Sequence, residues 1–170
     1  MKKVFIIAAC LIFLTGCSQK TDFNKVIEHY TSSPISGRYV CEADFGEVFT
    51  FVYDFAYENG SSSVTIVEPE QLQGLSAVTD ETGTNLVFDD VAVRTYLPES
   101  YEASPVSAIY AFIEDIKTGN YTSINDGEVL TVTFEKDDYV KKAEISKEDF
   151  ALLYLEIFKE GDRIITISLQ

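Results

Sequence analysis

Apolar and polar side chains alternate along most of this chain, and the breaks in that alternation divide it into elements. From Ile35 the period is two. Residues 37–44 predict a first strand. After Phe45-Gly46 a second strand follows, in which Phe49, Phe51, Tyr53, Phe55 and Tyr57 hold successive odd positions. Alternate residues of a strand share a face, so five aromatic rings line up on one side. They can fill an ordinary core, or form an apolar wall. Asn59-Gly60 is a hairpin signal. Further short strands are expected over 64–68, 75–79, 85–88 and 91–96, with 69–74 as a helical turn or loop and turns at Asp80–Gly83 and Asp89-Asp90. Short strands separated by turn chemistry predict an antiparallel meander.

The period changes to that of a helix in two places. Asp22 is placed to cap a short helix over 23–30, where Phe23, Val26, Ile27 and Tyr30 fall on one face. Between a capping Ser104-Pro105 and a terminating Gly119, the residues Val106, Ile109, Tyr110, Ile113 and Ile116 recur at helical spacing. Strands resume over 129–135, after a turn at Asn125-Asp126-Gly127, and over 139–145, after one at Asp137-Asp138. The stretch 149–158 admits two readings. Ser146 to Asp149 suits a helix cap, yet Leu153, Leu155 and Ile157 alternate. The strand is preferred because Gly161-Asp162 then turns it into a last strand over 164–169. The fold class expected is α+β and mostly antiparallel: a curved sheet or incomplete β-barrel, covered by the mid-chain helix, with a short N-terminal helix.

The start of the chain has its own pattern. Met1-Lys2-Lys3 precedes an unbroken apolar run from Val4 to Leu14. A bilayer core needs about 20 apolar residues in a helix, so this run reads as a secretory signal peptide rather than a membrane span. Its exit, Leu14-Thr15-Gly16-Cys17, resembles the lipobox of bacterial lipoproteins. The resemblance implies cleavage before Cys17, acylation of Cys17 as the anchor (palmitate being typical), and a place on the extracytoplasmic face of a cell membrane. Residues 1–16 would be removed, 17–21 would form the lipidated cysteine and tether, and 22–170 would be a single domain. Two or three acyl chains hold a protein firmly where one does not.

Composition narrows the partners. Cleavage removes Lys2 and Lys3 from 13 basic residues and none of the 28 acidic ones, which leaves a net charge near −17. Such a field repels nucleic acid and anionic headgroups, so no nucleic-acid role is expected. Of three cysteines, Cys10 departs with the signal peptide and Cys17 is the anchor. Cys41 is left without an intramolecular partner, and a buried small hydrophobe is its expected role. One histidine, His29, lies off the apolar face of its helix, so neither a metal site nor a Ser-His-Asp arrangement is expected. No nucleophile elbow, phosphate loop or His-Glu-x-x-His motif is present. No enzyme and no cofactor are predicted, although two carboxylates facing across a cleft would serve a hydrolase on carbohydrate or peptidoglycan.

The order of elements, with Val64-Thr-Ile-Val-Glu-Pro-Glu-Gln-Leu-Gln-Gly-Leu75 as the closest local likeness, is similar to the lipoprotein-carrier superfamily of LolA, LolB and LppX. That resemblance implies a half-barrel around an apolar cavity with helices as its lid. Phe49, Phe51, Tyr53, Phe55 and Tyr57 would be the wall, and Ile109, Tyr110 and Ile113 the lid. It further implies a lipid or other hydrophobic ligand. Arg38 and Arg94, in predicted strands, could meet an anionic headgroup or pair with surface carboxylates. The alternative is an envelope sensor or protein-interaction module with a filled core and a protein partner.

Overall fold

A computed structural model describes residues 22–89, 91–95 and 103–170. The expected signal peptide, Cys17 with its expected tether, Asp90 and the expected strand end at Tyr96 lie outside the described residues. Helix α1 (Phe23–Ser32) leads into a meander of six strands: β1 (Ile35–Asp44), β2 (Val48–Glu58), β3 (Ser61–Glu68), β4 (Ser76–Asp80), β5 (Gly83–Phe88) and β6 (Val91–Thr95). Helix α2 (Ala108–Thr118) then leads to β7 (Ser123–Asp126), β8 (Leu130–Lys136), β9 (Tyr139–Ile145), β10 (Leu152–Lys159) and β11 (Asp162–Leu169).

The eleven described strands form one antiparallel sheet in the order β6-β5-β4-β3-β2-β1-β11-β10-β9-β8-β7, which does not close into a barrel. Every neighbour but one is adjacent in sequence. The exception, β1 with β11, joins the two meanders at the middle of the sheet. Its two edges, β6 and β7, are consecutive strands of the chain with α2 between them. A connection from one edge to the other must cross a face of the sheet, and α2 does so over the face that holds the core.

The turn chemistry explains the register. Asn59 and Gly60 both have positive φ (53° and 80°), the backbone a two-residue hairpin needs. The β1–β2 register then runs unbroken from Ile35 opposite Tyr57 to Asp44 opposite Val48. Asp22 caps α1 as predicted, its carboxylate accepting from the Asn24 N–H at 3.1 Å. Gly119 ends α2 in the left-handed region at φ 69°.

Three expectations need correction. α2 begins three residues later than Pro105 suggested, because the Ser104 carbonyl accepts from both Ser107 and Ala108 in a preliminary turn. Ser123–Asp126 is a strand, where the Asn-Asp-Gly sequence read as a turn; the turn itself starts at Gly127, two residues after Asn125. α2 is also buried more widely than its stripe predicts. Phe112, off the stripe, is fully buried because it lies between Tyr30 of α1 and Phe134 of β8. The preferred strand reading of 149–158 holds. Ser146 and Asp149 cap a turn, accepting from the N–H groups of Glu148 and Ala151, rather than a helix.

Candidate functional site: the inner face of the sheet

Residues paired across antiparallel strands share a face, so the register traces the inner face outward from β2. Phe55 pairs with Val64, Val64 with Ala77, Ala77 with Leu86, and Leu86 with Val93. Phe88 and Val91 pair on the same face at the end of the β5–β6 hairpin. On the other side of β2, Phe51 pairs with Cys41 and Phe49 with Ala43.

The five aromatic residues of β2 do share this face, but the helices cover only part of the row. Tyr57, Phe55 and Tyr53 are buried at core level, whereas Phe51 is half-buried and Phe49 is 48% exposed. The same division runs along the β5–β6 hairpin, where Phe88, Val91 and Val93 are 40%, 64% and 53% exposed. The inner face therefore has a covered half under α1 and α2 and an apolar half open to solvent. Large exposed apolar patches mark interaction sites more often than isolated exposed residues do.

Ile109, Tyr110 and Ile113 of α2 are buried over the covered half. Tyr110 faces Tyr57, with ring centroids 6.3 Å apart, and Phe112 meets Tyr30 of α1 and Phe134 of β8 edge-on. Two polar contacts hold α2 to the two arms of the sheet. On the β2 side, the Lys117 ammonium donates to Glu114 at 2.7 Å and to the Tyr57 hydroxyl at 2.9 Å, and that hydroxyl donates to Glu114 at 3.1 Å. On the β9 side, Lys141, 1% exposed, is paired with Asp115. These contacts had no warning in the sequence beyond the charges interrupting an apolar helix face.

Tyr110, Glu114 and Lys117 also line a cleft of about 440 Å³ with the β2–β3 and β4–β5 turns. A neighbouring cleft of about 320 Å³ lies between Tyr57, Lys117 and the end of α1. Both are mixed in polarity, and Asp80, Glu81 and Glu114 make the first predominantly acidic.

Other candidate residues lie away from this face. Arg38 makes a two-pronged pair with Asp54 at 2.7 and 2.8 Å, and Arg94 donates to Thr82; the register puts both arginines on the outer face. His29 is half-buried against the Phe150 ring, 5.8 Å between centroids. Cys41 is fully buried on the inner face, and burial pushes its thiol up to about 12. Among the described residues no cluster of three metal-ligating side chains occurs, and no helix is long and apolar enough to cross a membrane.

Two buried side-chain hydroxyls on the inner face, those of Tyr53 and Ser62, have no hydrogen-bond partner. Tyr53 stands where the open half meets the covered half. Ser62 pairs with Tyr57 on one side and Thr79 on the other, and Thr79 bonds Thr84 at 3.0 Å.

No known protein-family profile matches the chain, and no curated protein matches it. Solved structures do. An uncharacterized conserved protein from Thermus thermophilus matches with a TM-score of 0.53 and 11% identity, over 86% of this chain and 82% of that one. A LolA superfamily protein from Nitrosomonas europaea matches at 0.41 and 13%, over 86% and 75%. The Mycobacterium tuberculosis lipoprotein LppX matches at 0.45 and 10%, over 87% and 91%. At these identities the likeness is one of fold alone.

Proposed function

We propose that this protein is held at the extracytoplasmic face of a membrane by an acylated Cys17 and takes a lipid or other hydrophobic ligand on the inner face of its sheet. The observation that carries the reading is the β2 row. Its aromatic rings run from Phe49, open to solvent, and half-buried Phe51 to Tyr53, Phe55 and Tyr57 under the helices. A ligand on the open half would lie against Phe49, Phe51, Phe88, Val91 and Val93. Further entry would displace α2, with Ile109, Tyr110 and Ile113 as the lid. The Lys-Lys-apolar-Leu-Thr-Gly-Cys start supports the anchor.

A second reading has its own support. The inner rings are packed as a core, and an open apolar half is equally a surface for a protein partner. Native mass spectrometry separates the two. Residues 22–170, the domain proposed to fold on its own, hold the described strands and helices and their apolar core. Purified without detergent, this domain is expected to carry a discrete added mass that organic extraction removes, and Phe51→Asp abolishes it. A bare mass, even after incubation with lipid vesicles, would sink the ligand reading and leave the protein-partner one.

A further inference from the structure

We infer that β6 is a docking edge for a second copy of this chain, paired antiparallel with the partner's β6 about a two-fold axis at Val93. The pairing stands apart from the ligand reading; only its fit to a membrane rests on the acylated Cys17 proposed above.

The two edges of the sheet are built differently. β7 is four residues long, and Ser123, Asn125 and Asp126 make it polar. Short length and polar or charged side chains are how natural sheets blunt an edge against pairing. β6 lacks that protection. Its five residues, 91–95, are exposed on both faces, include no proline, and pair with β5 in unbroken register. Among the described strands β5 is its one neighbour, so the far edge of β6 presents backbone N–H and C=O groups to any strand that arrives. The single charge, Arg94, donates to Thr82 of the β4–β5 turn, back across β5 and away from that edge. Apolar side chains flank the edge on both faces: Val91 and Val93 on the inner, and Ala92 beside Val87 on the outer.

β6 is also complementary to itself. Two-fold pairing at Val93 engages the whole strand. Val93 lies opposite the partner's Val93, Val91 opposite the partner's Thr95, and Ala92 opposite the partner's Arg94. Cross-strand pairs of β-branched side chains stabilise a sheet, and here no charge stands directly opposite a like charge. Paired residues share a face, so the inner faces of both copies lie on one side of a continuous sheet and the axis runs along the sheet normal. In each copy α1, the first element after Cys17, packs Val26 and Tyr30 into the core on that face. The axis relates the two α1 helices without inverting them, so two anchored chains can share one membrane. Joining β6 to the partner's β7 would be head-to-tail instead, and would add copies without closing.

Size points to a copy rather than to a freely diffusing protein. A stable interface buries about 800 Å² on each partner, more than the edge of a five-residue strand supplies. Pairing on this scale becomes effective when both partners are confined together, which raises their effective concentration. Copies anchored in one membrane meet that condition. The net charge of the chain opposes association, but salt screens it beyond about 8 Å at physiological ionic strength.

Cysteine cross-linking of the full chain, in membranes of a bacterial host, tests the register. Val93→Cys is expected to give a disulfide-linked dimer on mild oxidation, because Cα atoms of directly opposite residues are about 4.5–5.5 Å apart, within disulfide reach. Val91→Cys alone should give none, since its two copies stand four residues out of register, about 13 Å. Val91→Cys co-expressed with Thr95→Cys should link, and adding Val93→Lys to both chains should abolish that link by setting like charges opposite each other. The parent, with Cys17 and the buried Cys41, sets the background. No link at Val93, equal linking by Val91→Cys alone, or a Val93→Cys link to a different protein or to Ile124→Cys in β7 would each overturn the inference. Fractionation of the same cells reads the anchor separately: the expected links formed in the soluble fraction would uphold the pairing and remove the anchor reading.

Discussion

At the scale of single residues, the most consequential groups are charges and thiols placed where the solvent does not reach. Lys141 sits in an inner-face position that alternation reserves for an apolar side chain, between Tyr139 and Ala143. It is tolerable there because Asp115 of α2 meets it. Breaking one partner of a buried pair leaves the other uncompensated, at about 3–5 kcal/mol, whereas replacing both with apolar groups often costs little. Lys141→Met is therefore expected to lower stability by about that amount, and Lys141→Met with Asp115→Leu to recover most of it, measured by urea unfolding. Additive losses would show that the ion pair is not what holds the site. The outer-face pair Arg38–Asp54 is half-exposed on both sides, and its removal should change stability little. Cys41 illustrates the converse. A thiol held at about 12 has almost no thiolate at pH 8, so it should resist Ellman's reagent in the native protein and react at once in denaturant. Rapid native labelling would contradict its burial.

At the scale of elements, the path of α2 follows from connectivity, and its end follows from one residue. Gly119 has φ 69°, and its N–H closes the last turn on the Ile116 carbonyl. A Cβ there meets no neighbour, so the penalty for Gly119→Ala is purely that of the left-handed backbone, about 1 kcal/mol. Thermal unfolding should register a small, clean loss; an unchanged melting temperature would mean that the helix can end otherwise. Much of this level was legible in the sequence. The alternation over Phe49 to Tyr57, the Asn59-Gly60 turn, the Asp22 cap and the Gly119 stop are local signals, each with one structural meaning. What was not legible is set by distant partners. β7 is only four residues long and exists because β8 offers its edge, so its own Asn-Asp-Gly reads as a turn. The joining of β1 to β11 depends on the whole chain. The β2 row announced five rings on a face but not where the helices would stop covering them, so exposed Phe49 and buried Tyr53 looked alike. Nor does anything in the sequence around Tyr53 or Ser62 reveal that their hydroxyls lack partners.

At the scale of the whole molecule, the inner face binds protons as a unit, and this gives stability a defined dependence on pH. Desolvation raises Tyr39 to about 12, and it also raises Tyr30 and, well above the ordinary range, Tyr53. In the unfolded chain these phenols ionise near 10 and the Cys41 thiol near 9. Between those values and their native ones, the unfolded state has lost protons that the native state keeps. Stability is therefore fully present at neutral pH and falls as pH rises from about 9 through about 12, the direction linkage requires when the unfolded state binds fewer protons. Tyr39 alone contributes about 2–3 kcal/mol to that fall. On the acid side the sign reverses. Asp54, Asp80 and Asp149 are lowered, by hydrogen bonds from Arg38, Thr82 and Ser146 respectively, so their contribution is present above the ordinary carboxylate range and is lost as they protonate. Those three are exposed surface groups and give a shallow acid limb, while the buried phenols give a steep alkaline one. Urea unfolding from pH 8 to 11.5 checks this, with Tyr39→Phe as the comparison, since it removes a titrating hydroxyl and keeps the ring that packs on Tyr53 and Phe55. The variant is expected to lose stability less steeply above pH 10 than the parent. Parallel curves would mean that Tyr39 ionises without unfolding, and that the inner face admits water and charge far more readily than its burial implies.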